Sequence, residues 1–250
     1  MQIIKNIFIL FWRIWFYIAM IITIVPAAPI LLIITAKEST YPIFYKMAHF
    51  WGKTMLFLMG FRSRVQKMEE LIPHQSYMLS ANHTSMIDIM LMLAVIKDNP
   101  FVFVGKAELA SIPVFGFFYK RTSILVDRSS AESRRKVFDE AKKRLENGLS
   151  VCIFPEGMVP EDETIVLNEF KNGAFVLAIE HQIPIVPISF YDCKKRFSYT
   201  FFSGGPGKLH VKIHKPISTK GMNVSEDKND LKKRVYKIIY DDLATHSTKK

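Results

Sequence analysis

Two short clusters of polar side chains carry the residue types that general acid–base chemistry needs. Asn82-His83-Thr84-Ser85-Met86-Ile87-Asp88 follows an apolar run, and Phe154-Pro155-Glu156-Gly157 begins 66 residues after Asp88. A neutral imidazole can take a proton from an alcohol near neutral pH. It needs a partner that fixes its tautomer and stabilises the imidazolium. Asp88, five residues after His83, can fold back from the first turn of a helix to do this. The same spacing fits a second job, because Ser85 and Asp88 also match a capping box in which Asp88 accepts from backbone amides. His83 is then an ordinary loop histidine, and spacing leaves the two readings open. Glu156 stands at the carboxyl end of an apolar run, where it can bond a diol, orient a partner or simply be a polar loop residue.

The chain has no GxSxG nucleophile elbow, and neither cysteine, Cys152 or Cys193, has a helpful neighbour. A base without a covalent nucleophile points to direct attack by a substrate hydroxyl. Both cysteines are expected to be buried free thiols in a reducing compartment, and too few ligands cluster for a zinc site. Lys106, Arg121, Arg128 and Lys171 lie near strand ends or in loops, where an anionic phosphate finds such groups. Each is equally a surface charge by type alone, and so are Lys120 and Arg134. The stretch 203–208 lacks the Walker spacing and reads as a turn before a strand.

These groups need elements to position them. Strands are expected over 76–81, 101–104, 122–126, 150–154, 183–190 and 208–214. Helices are expected over 85–96, 131–147 and 168–181, and Ser225 is expected to cap a final helix. Strand–helix alternation implies an α/β fold: a mixed, mostly parallel sheet flanked by helices, with its site at the strand carboxyl ends.

Upstream, the pattern is that of a membrane. Ile14–Ala36 carries no charge and is long enough to cross a bilayer of about 30 Å. Pro26 and Pro29 interrupt it, so it is either a kinked spanning helix or a helical hairpin that dips in and returns. Residues 41–67 read as a second helix with Lys46, His49 and Lys53 on one face. That helix is either interfacial or part of the core. Residues 1–68 hold eight Lys/Arg and one acid, Glu38, which accounts for seven of the eleven net positive charges. Basic charge beside apolar sequence suits an anionic membrane surface better than nucleic acid. Two segments follow: 1–70, membrane-associated, and 71–250, catalytic.

The ordered blocks resemble the glycerophospholipid acyltransferase family, in particular bacterial 1-acylglycerol-3-phosphate acyltransferases. Besides the two opening clusters, the similarity rests on Lys106-Ala-Glu-Leu109, Ile112-Pro-Val-Phe-Gly116, Val126-Asp-Arg128, Phe170-Lys-Asn-Gly-Ala174 and Ile183-Pro-Ile-Val-Pro187. The resemblance implies His83 as general base and Asp88 as its orienting partner. It implies an acyl-CoA or acyl carrier protein donor, a lysophospholipid acceptor, and neither metal nor bound cofactor. Substrate binding falls to Asn82, Lys106, Arg128, Glu156 and Gly157. The implied location is the cytoplasmic face of the cell membrane. One departure stands out: Met158-Val159-Pro160 replaces the family's usual Thr-Arg-Ser, whose Arg is a phosphate ligand. Lys171 and Arg121 are the candidates to meet the phosphate instead. Otherwise the acceptor is another lyso-lipid or an amino-acid lipid. A non-catalytic membrane-binding protein is the remaining alternative.

Overall fold

The computed structural model describes residues 2–112, 115–127, 129–159, 162 and 164–248, with the side chains of 247 and 248 excepted. Helix α1 (Gln2–Ile24) opens the chain, well before the expected Ile14. Its buried residues, Ile9, Arg13, Phe16 and Ala19, recur at spacings of four and three and so form one stripe. Ile3, Phe8 and Phe11 project from the other side at 64–76% exposure. With 23 residues and a mean hydropathy of 2.2 in its most apolar window, α1 is long and apolar enough to cross a membrane. The prolines divide the apolar run rather than bend it. Helix α1 stops at Ile24, and α2 (Ala28–Ile34) starts with Pro29 in its first turn, where a missing donor costs nothing.

A 3₁₀ turn (Glu38–Thr40) leads into α3 (Tyr41–Leu58), on which α1 and α2 both pack. The Trp15 and Trp12 indoles of α1 donate to the carbonyls of Leu58 (2.9 Å) and Met59 (3.1 Å), covering acceptors that the end of α3 leaves over. The helix does not run on to Lys67 as expected. Gly60, at φ 73°, turns the chain into strand β1 (Phe61–Lys67), of which only Phe61 is buried. A strand with one buried residue has no apolar alternation to betray it.

The remaining elements, in chain order, are β2 (Met78–Ala81), α4 (Ile87–Val95), β3 (Phe101–Lys106), α5 (Phe115–Thr122), β4 (Ser123–Val126), α6 (Ala131–Glu146), β5 (Ser150–Ile153), α7 (Gly173–Glu180), β6 (Ile185–Phe190), α8 (Cys193–Arg196), β7 (Gly207–Ile213) and α9 (Val224–Thr248). The seven strands are ordered β1-β7-β6-β2-β5-β3-β4. β2 pairs in parallel with β5 and β6, and β3 with β4 and β5. β7 runs against β6: the His214 amide donates to Pro187 and that of Tyr191 to His210. The sheet is therefore mixed and mostly parallel, as expected. β2 is buried throughout, and its short apolar sequence is what a strand covered on both faces requires.

By packing, the chain forms two compact units interleaved in sequence. One comprises Met1–Gln66, His83–Lys97 and Phe190–Val211; the other comprises Lys67–Asn82, Asp98–Ser189 and Lys212–Lys250. This division follows contacts, whereas the division at residue 70 follows composition. In the first unit α3 lies against α4, so one face of α3 is core. Gly52 permits the approach, since a Cβ there would come within 2.8 Å of the Met90 carbonyl. Tyr45 donates its hydroxyl to Ile96 O (2.7 Å), and His49 Nδ1 meets Leu93 O (2.7 Å). His49 thus turns inward while Lys46 and Lys53 stay exposed.

In the second unit α7 packs on β2 and α9, and α6 on β4 and β5. α7 begins at Gly173 rather than Asn168, because residues before it are tied to the Phe154–Gly157 turn. The cap of α9 is Asn223, not Ser225. Its side-chain oxygen accepts from the Ser225 amide (2.9 Å), while Asp227 accepts from the Asn223 amide (2.6 Å). Cys152 and Cys193 are free and buried, and burial pushes both thiols well above their usual range.

Candidate active site

Strand β2 ends at Ala81, and Asn82, 1% exposed, hands the chain to His83. Residues 83–86 form an irregular turn before α4, whose first turn carries Asp88. The Asp88 carboxylate folds back over this turn. Its Oδ2 accepts from His83 Nδ1 at 2.9 Å, from the Thr84 amide at 2.7 Å and from the Ser85 amide at 2.9 Å. One oxygen thus makes both of the contacts that spacing left open. Asp88 caps the turn and, by being held there, meets the imidazole at a fixed place.

The carboxylate can only accept, so Nδ1 carries the proton and Nε2 the basic lone pair. Asp88 is fully buried, while the His83 side chain retains 20% exposure. A buried carboxylate with three donors on one oxygen is pre-organised, and a partly open imidazole can reach a substrate hydroxyl. Ser85 adds a further tie: its hydroxyl donates to the Phe197 carbonyl (2.5 Å) and accepts from the Ile87 amide (3.3 Å). Nothing in the sequence marks Phe197 as a partner, because a backbone carbonyl 112 positions away leaves no residue-type signal.

The second unit holds the other expected residues. Asn82, Lys106 and Glu156 lie at or just beyond the carboxyl ends of β2, β3 and β5, which are neighbours in the parallel sheet. Glu156 is 2% exposed, and its Oε2 accepts from the Asn168 amide at 2.8 Å. Gly157 takes φ 81°, which a side chain resists, and its amide closes the turn on Phe154 O (3.0 Å). Lys171 is exposed, and its amide donates to Pro155 O (2.8 Å), so this lysine sits beside the Phe154–Gly157 turn. Lys106 is exposed as well.

Of the other cations, Arg121 lies over the Phe117 ring of its own helix at 3.6 Å. Arg128 and Pro160 lie outside the described residues. Met158, in the place of the family's Thr, is 56% exposed.

A crevice of about 180 Å³ in the first unit is lined by Arg13, Tyr17, Met86, Phe197, Ser198, Tyr199 and Phe201. Its Met86 belongs to the same turn as His83. The lining is chiefly apolar and aromatic, which suits an amphipathic molecule.

The family model described as Acyltransferase matches residues 62–191, just over half the chain. An uncharacterized acyltransferase of Schizosaccharomyces pombe is 29% identical over 202 residues, 79% of this chain and 72% of that protein. The 1-acyl-sn-glycerol-3-phosphate acyltransferase alpha of Mus musculus is 32% identical over 171 residues, 66% of this chain and 58% of that protein. The 1-acyl-sn-glycerol-3-phosphate acyltransferase of Saccharomyces cerevisiae is 32% identical over 165 residues, 64% of this chain and 52% of that protein. The chain thus spans little more than half the length of these two named relatives. In fold, it superposes on the crystal structure of the 1-acyl-sn-glycerophosphate acyltransferase of Thermotoga maritima with a TM-score of 0.78. That superposition covers 99% of this chain and 98% of the other at 21% identity. With the family model matched across the strands and turns that carry both polar clusters, this chain belongs to the acyltransferase family.

Proposed function

We propose that this chain is a membrane-associated O-acyltransferase that acylates the free hydroxyl of 1-acylglycerol-3-phosphate to give phosphatidate. The observation that carries the reading is the His83–Asp88 pair at 2.9 Å, with Asp88 anchored by two backbone amides. His83 Nε2 takes the acceptor hydroxyl proton as its oxygen attacks the thioester carbonyl of acyl-CoA or acyl carrier protein. The new C–O bond forms, the C–S bond breaks, and the departing thiolate takes the proton back from the imidazolium. Asp88 remains ionised throughout and steadies the charged imidazole. The step uses neither metal nor bound cofactor, and no acyl-enzyme forms.

In this reading Asn82, Glu156 and Gly157 shape the acceptor pocket, and Lys106, Arg128 and Lys171 meet the phosphate. Lys171 is favoured over Arg121, because its backbone joins the Phe154–Gly157 turn whereas Arg121 is engaged with Phe117. The apolar outer face of α1 seats the protein at the cell membrane, with the chemistry on the cytoplasmic side.

Val159, in the place of the family's phosphate-binding Arg, favours a second reading, in which the same chemistry serves another lyso-lipid or an amino-acid lipid acceptor. Purified protein assayed on lysophosphatidate and a panel of other lyso-lipids separates the two. A clear preference for lysophosphatidate supports the first, and indifference to the phosphate supports the second. His83→Ala is expected to abolish thiol release with folding intact. A fully active His83→Ala would end both.

A further inference from the structure

Arg13 is the one charged residue in the buried stripe of α1. Its position among basic residues beside apolar sequence suggests a group facing anionic lipid, but it is only 7% exposed. Its Nη2 donates to three backbone carbonyls, Ser198 (2.8 Å), Thr200 (2.9 Å) and Ser203 (3.2 Å). The guanidinium carbon lies 4.9 Å from the Phe197 ring centroid and 5.2 Å from that of Phe201. A buried cation is costly unless it is bonded and enclosed in this way. Residues 197–203 form no regular element. Within the turn Thr200 O also accepts from the Ser203 amide (3.2 Å) and hydroxyl (2.8 Å), and the guanidinium is the further donor that gathers it with the Ser198 and Ser203 carbonyls. Removing the guanidinium takes one donor from each of the three carbonyls, of which Thr200 O keeps its Ser203 donors.

The same turn begins with the Phe197 carbonyl that receives the Ser85 hydroxyl at 2.5 Å. Ser85 in turn donates its amide to Asp88 Oδ2. We propose that Arg13 is a positioning residue: by pinning the 197–203 turn it fixes the Phe197 carbonyl, which holds Ser85 and so sets Asp88 against His83. All the members of this relay lie in one compact unit. The inference rests on the proposed acyl transfer. It assigns the interior face of the apolar helix a part in catalysis that is separate from any role of its outer face in lipid.

The test uses the purified full chain, with steady-state rates measured against both acyl donor and lyso-lipid acceptor, and thermal melts for each variant. Arg13→Met is expected to lower kcat about ten- to hundredfold with KM changed less than about twofold, the signature of displaced reacting groups rather than lost binding. Ser85→Ala should fall by a comparable factor. Arg13→Met combined with Ser85→Ala should lose little more than the worse single variant, since both act through one relay. Arg13→Lys, whose three donors can meet the three carbonyls, should restore most of kcat.

Wild-type kcat in Arg13→Met, a loss confined to KM, or a double variant whose loss is the product of the single losses overturns the proposal. If Arg13→Met does not fold, Arg13→Gln, which keeps an amide donor but loses the charge and the reach, takes its place in the cycle with Ser85→Ala under the same criterion. His83→Ala serves as the reference. An inactive His83→Ala beside a fully active Arg13→Met removes the inference alone, whereas an active His83→Ala removes the proposed chemistry.

Discussion

Replacing Asp88 by Asn tests whether its carboxylate does more than cap the turn before α4. Oδ2 receives three donors, two of them backbone amides that cannot move away. An Asn side chain must therefore place its oxygen where Oδ2 was, because an NH2 there would face two N–H groups. His83 Nδ1–H keeps an acceptor and the tautomer survives. What is lost is charge. A charge-assisted bond contributes about 1.5–3 kcal/mol and a neutral one about 0.5–1.5 kcal/mol, so the expected loss of stability over three bonds is about 3–4 kcal/mol.

The catalytic loss follows from the imidazolium. Opposite charges about 4 Å apart at an effective dielectric near 20 attract by about 4 kcal/mol. Discounted for the partial exposure of His83, this corresponds to a fall in kcat of about 10²–10³. It is smaller than the roughly 10⁴ loss expected where the Asn reverses the histidine tautomer. Asp88→Ala, by contrast, orphans two amides at about 1–3 kcal/mol each and also removes the imidazole's acceptor, so it should cost more stability, about 4–6 kcal/mol. The assay is thiol release from the acyl donor, paired with urea unfolding. A folded Asp88→Asn variant within threefold of wild-type kcat would refute the orienting role and leave Asp88 as a cap alone.

Two further outcomes follow from the packing and the buried histidines. Gly52→Ala drives a methyl to within 2.8 Å of the Met90 carbonyl, so it should destabilise by about 1–3 kcal/mol through separation of α3 from α4. An unfolding midpoint equal to wild type would show that the two helices can part freely. His214 is buried beside Ser189 (2.9 Å) and Asp242 (3.3 Å), and burial lowers its pKa despite the opposing pull of Asp242. His181 is lowered in the same way, again first by burial. A histidine held neutral in the folded state contributes stability that is present above its unfolded pKa of about 6.5 and is lost as pH falls below it. Urea midpoints should therefore drop as pH falls below about 6.5, and His214→Gln should flatten that slope. An unchanged slope in the variant would exclude His214 as its source.

Much of this molecule was legible in the order of its residues. Apolar runs of four to six residues closed by polar turns announced the buried parallel strands, because a strand covered on both faces must be apolar throughout. Pro26 and Pro29 announced a kink or a break, since neither can donate to a continuing ladder, and the structure shows the break. The His-x4-Asp spacing put a base and a carboxylate within reach of each other across a first helical turn.

Local pattern failed where the deciding contacts were remote. β1 has one buried residue and so no periodicity to read. Residues 168–172 read as helix, yet the Asn168 and Lys171 amides donate to the Phe154–Gly157 turn. Arg13 looked like a surface cation, and only the gathering of three carbonyls from 198–203 explains why it is buried. Spacing alone could not decide between cap and catalytic partner at Asp88. In the tertiary structure one carboxylate oxygen makes both contacts, because after accepting two turn amides it has a direction left for the imidazole. Residue type and spacing determined which groups can meet along a few turns of chain. For Arg13 and Ser85, what holds them was decided by backbone carbonyls distant in sequence, and these have no residue-type signature to read.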